Sequence, residues 1–244
     1  MRFERMRPAR IRAAVAAGTP FVLPIGVQEY HGEHLPVGMD LLAVTEAVDR
    51  LGDAVVVLPP FAFGAASHAV AGPETMGTVH VPAEVILPYA QAMFTGLLAA
   101  GIRNIHGIIH HQTENFWQGM PTDLSFRLAA RNAVFAHLEA ARGSGWWGAP
   151  ESASYYDDFA GGENPFNWIS IHPLLPPGAD YPFDHAGKGE TGLMRALAPE
   201  TVDMAALGPD SPWYVADAHE ATPESGEEGV AIILAHLREV MGLA

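Results

Sequence analysis

Short, continuous apolar runs separated by helical patterns constrain this 244-residue chain more than any other feature. FVLPI at 21–25, AVVVL at 54–58 and IHGIIH at 105–110 lack the in–out alternation of a strand with one wet face. Helical periodicity runs at about 8–17, 41–51, 84–100, 122–142, 189–197 and 226–241. Strands apolar on both faces, each followed by a helix, belong to a sheet covered on both sides. The expectation is an α/β fold, a mostly parallel sheet flanked by helices on both faces, forming one domain over 1–244. TVHV at 78–81 and, more weakly, WYVA at 213–216 are further candidate strands.

One stretch breaks this rhythm. Residues 143–184 are rich in Gly, Pro and aromatics, and a connection of that length is expected to be a lid or insertion loop. Trp146, Trp147, Tyr155, Tyr156 and Trp168 are placed to close over a small ligand, or equally to form a subunit contact. The formal charge of −15 repels phosphate, which argues against nucleic acid and anionic membrane as partners. With no Cys, thiolate metal sites and Cys nucleophiles are excluded. No apolar run reaches the ~20 residues that span a bilayer. The Arg-rich start is interrupted by Glu4 and by Gly18-Thr19-Pro20, unlike a secretory signal, so a cytoplasmic location is expected.

Five of the 12 His, at 31, 34, 110, 111 and 185, lie near acids in three segments. In LPIGVQEYHGEHLPVGMD, residues 23–40, Glu29 and His31 are two apart just beyond an apolar strand. Extended backbone points such a pair the same way, so carboxylate and imidazole can meet on one cation. Asp40 follows a Pro/Gly-bearing loop able to fold it back; alone it reads equally as the N-cap of the next helix. His110, His111, Gln112 and Glu114 follow the 105–109 run, at the strand end where open α/β sheets bind ligands. DHAGKGET, residues 184–191, places His185, Lys188 and Glu190 at a Gly-rich turn entering a helix. There is no G-x-S-x-G elbow, no phosphate-binding Gly loop and no H-E-x-x-H.

Together these segments resemble the creatininase (creatinine amidohydrolase) family of metal-dependent hydrolases. Pro24, Gly26, Glu29, His31, Gly32, His34, Leu35, Pro36 and Asp40 match its opening motif, P-x-G-x-x-E-x-H-G-x-H-L-P-x-x-x-D. His185, Ala186, Gly187, Glu190 and Thr191 match H-A-G-x-x-E-T, and SHAVAGPETMGT at 67–78 is similar to the family's S-x-H…P-G-T segment with extra residues. The resemblance, from about residue 20 to 205, implies two divalent ions (Mn, Fe or Zn) bridged by Asp40. Glu29 would hold one ion, and His31 and Glu114 the other. It further implies His185 as acid/base with Glu190 nearby, a small-molecule substrate, and a homo-oligomer, often a hexamer. Trp168, Tyr181 and Lys188 are the candidate substrate contacts, Lys188 being the only Lys and its role the weakest.

Aligning on Glu114 puts Gln112 where the family carries an imidazole ligand. An amide oxygen is a harder donor, which leans the site toward Mn²⁺, Fe²⁺ or Mg²⁺. His111 could replace it, although a one-residue shift normally turns a side chain to the opposite face. The implied reaction is attack of metal-bound hydroxide on a small polar cyclic carbonyl compound, with His185 passing the proton. Opening at C–N would be creatininase-like; opening at C–C would be like the 3-dehydro-scyllo-inosose hydrolase branch. A relative that binds a small ligand without catalysis is the reading from another class.

Overall fold

The computed structural model describes residues 1–111, 115–153, 156 and 164–243. Its centre is a four-stranded parallel sheet: β1 (Phe21–Ile25), β2 (Val56–Val57), β3 (Ile105–Ile109) and β4 (Ile169–Pro173), in the order β2-β1-β3-β4. Phe21 pairs with Ile105 and Ile25 with Ile109, while Ile105 pairs with Ile169. Six helices surround it: α1 (Pro8–Ala16), α2 (Met39–Asp49), α3 (Ala83–Ala99), α4 (Pro121–Arg142), α5 (Lys188–Leu197) and α6 (Pro223–Val240).

Every residue of β1 and β3 is buried, because both sheet faces are covered. Val22, Val57 and Ile108 point into a core shared with α2, α5 and α6. Phe21, Leu23, Ile25, Ile105 and Ile109 point into a second core shared with α1, α3 and α4. Successive side chains of one strand thus feed opposite cores, which is why neither strand alternates in polarity. No helix among the described residues is long and apolar enough to cross a membrane.

Three sequence expectations need correction. Residues 143–184 are not loop throughout, since they contain β4, hidden by polar Ser170 and His172 and closed by Pro173. The run at 78–81 contributes only an isolated antiparallel bridge, Val79 to Gln28. The run at 213–216 forms a 3₁₀ turn, Trp213–Val215, preceded by Pro212, rather than a strand.

From β1 the chain passes through α2 to β2 on one side; from β3 it passes through α4 to β4 on the other. The carboxyl ends of β1 and β3 therefore flank the point where the winding reverses, the usual crevice of an open α/β sheet. Gly26 lets α2 cross close over the end of β1, since a Cβ there would lie 2.6 Å from the Leu41 Cα. That approach brings Asp40, in the first turn of α2, to the strand ends.

Candidate metal centre

Beyond β1 the Glu29 N–H donates to the Val37 carbonyl (2.9 Å), closing a loop that returns the chain to α2. The motif segment at 67–78 braces this loop from outside: the Tyr30 N–H donates to Thr78 Oγ1 at 3.0 Å. On the inside, Glu29, His31, His34 and Asp40 are all buried, while Glu33 is exposed. Asp40 is not a cap; Gly38 takes that position, and the carboxylate points into the crevice.

His31 Nδ1 lies 2.9 Å from the Glu29 carbonyl, which can only accept, so Nδ1 carries the proton. Its Nε2 lone pair then faces two carboxylates, Asp40 Oδ2 and Glu190 Oε2, each at 3.5 Å. Burial pushes the His31 pKa down to about 4, so a second proton is not the natural mediator between them. Across the crevice, Glu29 Oε2 faces His111 Nδ1 at 3.4 Å and His185 Nδ1 at 4.0 Å. Burial, then the charge of Glu190, raises the Glu29 pKa to about 8. Asp40 is raised well above the usual carboxylate range by burial and by Glu190 and Glu29. Glu190 is different. Burial would raise it, but His31 and the His110 Nε2–H at 2.9 Å hold it low, at about 2.

Glu29 Oε2 and Asp40 Oδ2 are buried without a hydrogen-bond partner among the described residues. A buried carboxylate oxygen left so is costly unless a cation completes it. Possible donor groups, each with atoms within 4.8 Å of one another, are Glu29/Asp40/His111, His31/Asp40/Glu190 and Glu29/His31/His185. The first two share Asp40. Imidazole and carboxylate donors of this kind suit divalent first-row metals, so the residues present fit such ions.

Of the residues singled out from sequence, the fold brings Glu29, His31, Asp40, His185 and Glu190 together. Gln112 and Glu114 lie outside the described residues. Trp168, Tyr181 and Lys188 are placed elsewhere. The Trp168 carbonyl accepts from Ile105 N–H at the amino end of β3, and its ring lies under Arg103 (4.6 Å), at the far end of the sheet. Tyr181 packs against Gly229 between α5 and α6, donating its hydroxyl to the Gly189 carbonyl at 2.8 Å. Lys188 pairs with Glu220 at the surface (3.1 Å).

Two contributions were hard to foresee. His111 reaches Glu29 because β3 ends at Ile109, and strand alternation does not govern the turn beyond it. Glu190 sits among the candidate metal donors, held by His110 and by the Ala186 N–H at 2.7 Å. That N–H points inward because Ala186 takes a left-handed backbone (φ 56°), a strained choice for a non-glycine residue. His34 supports the same turn, with Nε2 2.9 Å from Thr191 Oγ1, whose hydroxyl donates to the Ala186 carbonyl (3.3 Å).

A family model described as creatinine amidohydrolase matches residues 4–241. The chain belongs to the creatininase family. Creatininases are metal-dependent hydrolases, in keeping with the donor groups gathered here. A creatinine amidohydrolase of Pseudomonas putida is 27% identical over 198 residues, 79% of this chain and 70% of that protein. Among solved structures, a tryptophan-to-phenylalanine mutant creatininase superposes with a TM-score of 0.72 at 19% identity, covering 98% of this chain and 96% of its own. A creatininase described as the manganese form gives 0.69 at 18% identity, with the same coverage of each chain. A putative creatinine amidohydrolase from Bacteroides fragilis gives 0.61 at 20% identity, covering 91% and 88%. The parallel sheet with helices on both faces is thus the creatininase fold.

Proposed function

We propose that this creatininase-family hydrolase opens a small polar cyclic carbonyl compound at the divalent-metal centre, with His185 as acid/base. The orientation of His185 carries the reading. Its Nε2 lies 2.9 Å from the Tyr30 carbonyl and so holds a proton there, leaving Nδ1 with a lone pair turned toward Glu29. The ring is fixed on both sides, stacked on His31 at 4.3 Å and edge-on to Tyr214 at 5.1 Å. A histidine so held accepts a proton at one defined atom and returns it from the same atom.

The ions that Glu29, Asp40 and His111, and His31, Asp40 and Glu190, would hold supply Lewis acidity, polarising a carbonyl and acidifying water. His185 Nδ1 takes the proton as the water oxygen bonds to the carbonyl carbon, then delivers it to the ring atom that leaves. The Tyr30 carbonyl steadies the imidazolium formed between the two steps. Similar structures include a creatininase described as the zinc–zinc type and another complexed with creatine. Zinc and manganese are accordingly the first ions to load, and creatinine and related cyclic amides the first substrates to try.

Ring opening by stripped protein reloaded with Mn²⁺ or Zn²⁺, and its loss on chelation, tests the reading. Fully loaded protein inert toward cyclic amides and ring ketones alike would overturn it. His185→Ala is expected to keep its metal and lose about 10²–10⁴-fold in kcat. A variant that also sheds an ion would make His185 a ligand instead.

The reading includes a homo-oligomer, supported by large apolar side chains exposed on the paired helices α3 and α4: Val85, Tyr89, Leu124, Leu128 and Phe135. Sedimentation is expected to show a species of several 26.1 kDa chains; a monomer at micromolar concentration would contradict it.

A further inference from the structure

Beside the metal centre lies a cavity of about 450 Å³ between residues 70–76 and 206–214. Tyr30 and Tyr214 wall it, and both also touch His185. The polar groups of Tyr30 are all committed: its N–H to Thr78, its carbonyl to His185 and its hydroxyl to Glu33 Oε1 at 2.9 Å. Tyr214 is the opposite case. Its hydroxyl is buried and has no hydrogen-bond partner among the described residues. A phenol hydroxyl is a hydrogen-bond donor at neutral pH, and this one stands edge-on to His185 on the side of the metal centre. An unsatisfied buried hydroxyl is costly, and a structure rarely carries one unless a ligand or water completes it. Among the described residues, the charged side chains lining the cavity are Glu33 and Asp210, with no Lys or Arg.

We propose that Tyr214 contacts the substrate, its hydroxyl hydrogen-bonding the reacting compound beside His185. The adjoining cavity then takes a substrate portion bearing hydroxyl or amine groups rather than carboxylate or phosphate. This rests on the hydrolase reading and deepens it. The carbonyl lies toward Glu29 and His185, and the remaining groups face Glu33 and Asp210, which accept hydrogen bonds and repel anions.

The test uses full-length protein loaded with Co²⁺, whose visible spectrum reports ligands reaching the ions. Three hydroxamates differing only in the tail are titrated: propionohydroxamate, β-alanine hydroxamate and the monohydroxamate of succinic acid. Tyr214→Phe is expected to retain cobalt and to bind all three about five- to tenfold more weakly, the loss of one hydrogen bond. Unmodified protein is expected to prefer the ammonium tail over the carboxylate tail several-fold, with Asp210→Asn narrowing the gap. Affinities in Tyr214→Phe within twofold of the unmodified protein would overturn the role of Tyr214, as would loss of cobalt, which would make it a support of the ions. Equal binding of the two charged tails would overturn the ligand class. Failure of the unmodified protein to take up cobalt would sink the hydrolase reading and this proposal together, a result distinct from the others.

Discussion

Asp40→Asn is expected to weaken ion binding at both donor groups and to leave the metal-free protein more stable than the parent. Asp40 is the residue common to Glu29/Asp40/His111 and His31/Asp40/Glu190, so an amide in its place weakens two sites with one change. Losing an outer partner of a metal ligand already costs 10–100-fold in affinity or activity, so the loss of a shared ligand is expected to exceed about 100-fold. Without ions the effect on folding has the opposite sign. Asp40 is buried opposite Glu190 and Glu29, and one of its oxygens has no partner. Removing that carboxyl relieves both desolvation and repulsion, worth about 1–2 kcal/mol, the familiar exchange of function for stability. Elemental analysis and melting in chelator check the two halves separately. A variant that still holds one ion at parental affinity would show that Asp40 is not shared.

Metal-free protein is expected to lose stability as pH rises from about 7.5 to 8.5. Glu29 titrates at about 8 in the folded state against 4.5 as a free side chain. Over that interval the folded state holds a proton that the unfolded chain has released, so raising the pH favours unfolding. Asp40 acts in the same sense. His31 and His111, lowered to about 4 by burial, have the opposite linkage, because the unfolded imidazole binds the extra proton. Unfolded histidine is half protonated at 6.5, so this contribution, shared by His106 and His172, fades only by about pH 7.5. Below about 7.5 the two classes oppose; above it the carboxyls dominate, each with a slope of at most about 1.4 kcal/mol per pH unit. Binding of divalent ions must displace the same protons, so metal affinity rises across the window as metal-free stability falls. Denaturant titrations in chelator at pH 7.5 and 8.5 check the sign. Stability that rises between them would mean Glu29 is ionised well below pH 8.

Local pattern exposed β1, β3 and all six helices because each feeds a core through side chains of one character. β4 was hidden because its polar residues are satisfied by partners distant in sequence. His172 Nε2 lies 3.1 Å from His106 Nδ1, and the other nitrogen of His106 lies 2.8 Å from Asn104 Oδ1. Only tertiary structure makes Ser170 and His172 acceptable in a strand. At the metal centre, spacing was informative where two residues share one extended segment, as for Glu29 and His31. It failed at His111, where the backbone turns, and at Trp168, whose sequence neighbourhood gave no hint that β4 begins there and carries it to the far end of the sheet.

The borders of the sheet govern how copies of this chain can meet. One border strand, β2, is two residues long; the other, β4, ends in Pro173, whose carbonyl faces His236 Nε2 at 3.2 Å. Proline has no N–H to offer, and a two-residue strand is too short a template, so neither border invites another chain to extend the ladder. The exposed apolar side chains of α3 and α4, rather than the sheet borders, are then where the proposed self-association is expected, saturating once those faces are covered. Crowding would then yield closed, reversible assemblies rather than growing fibres.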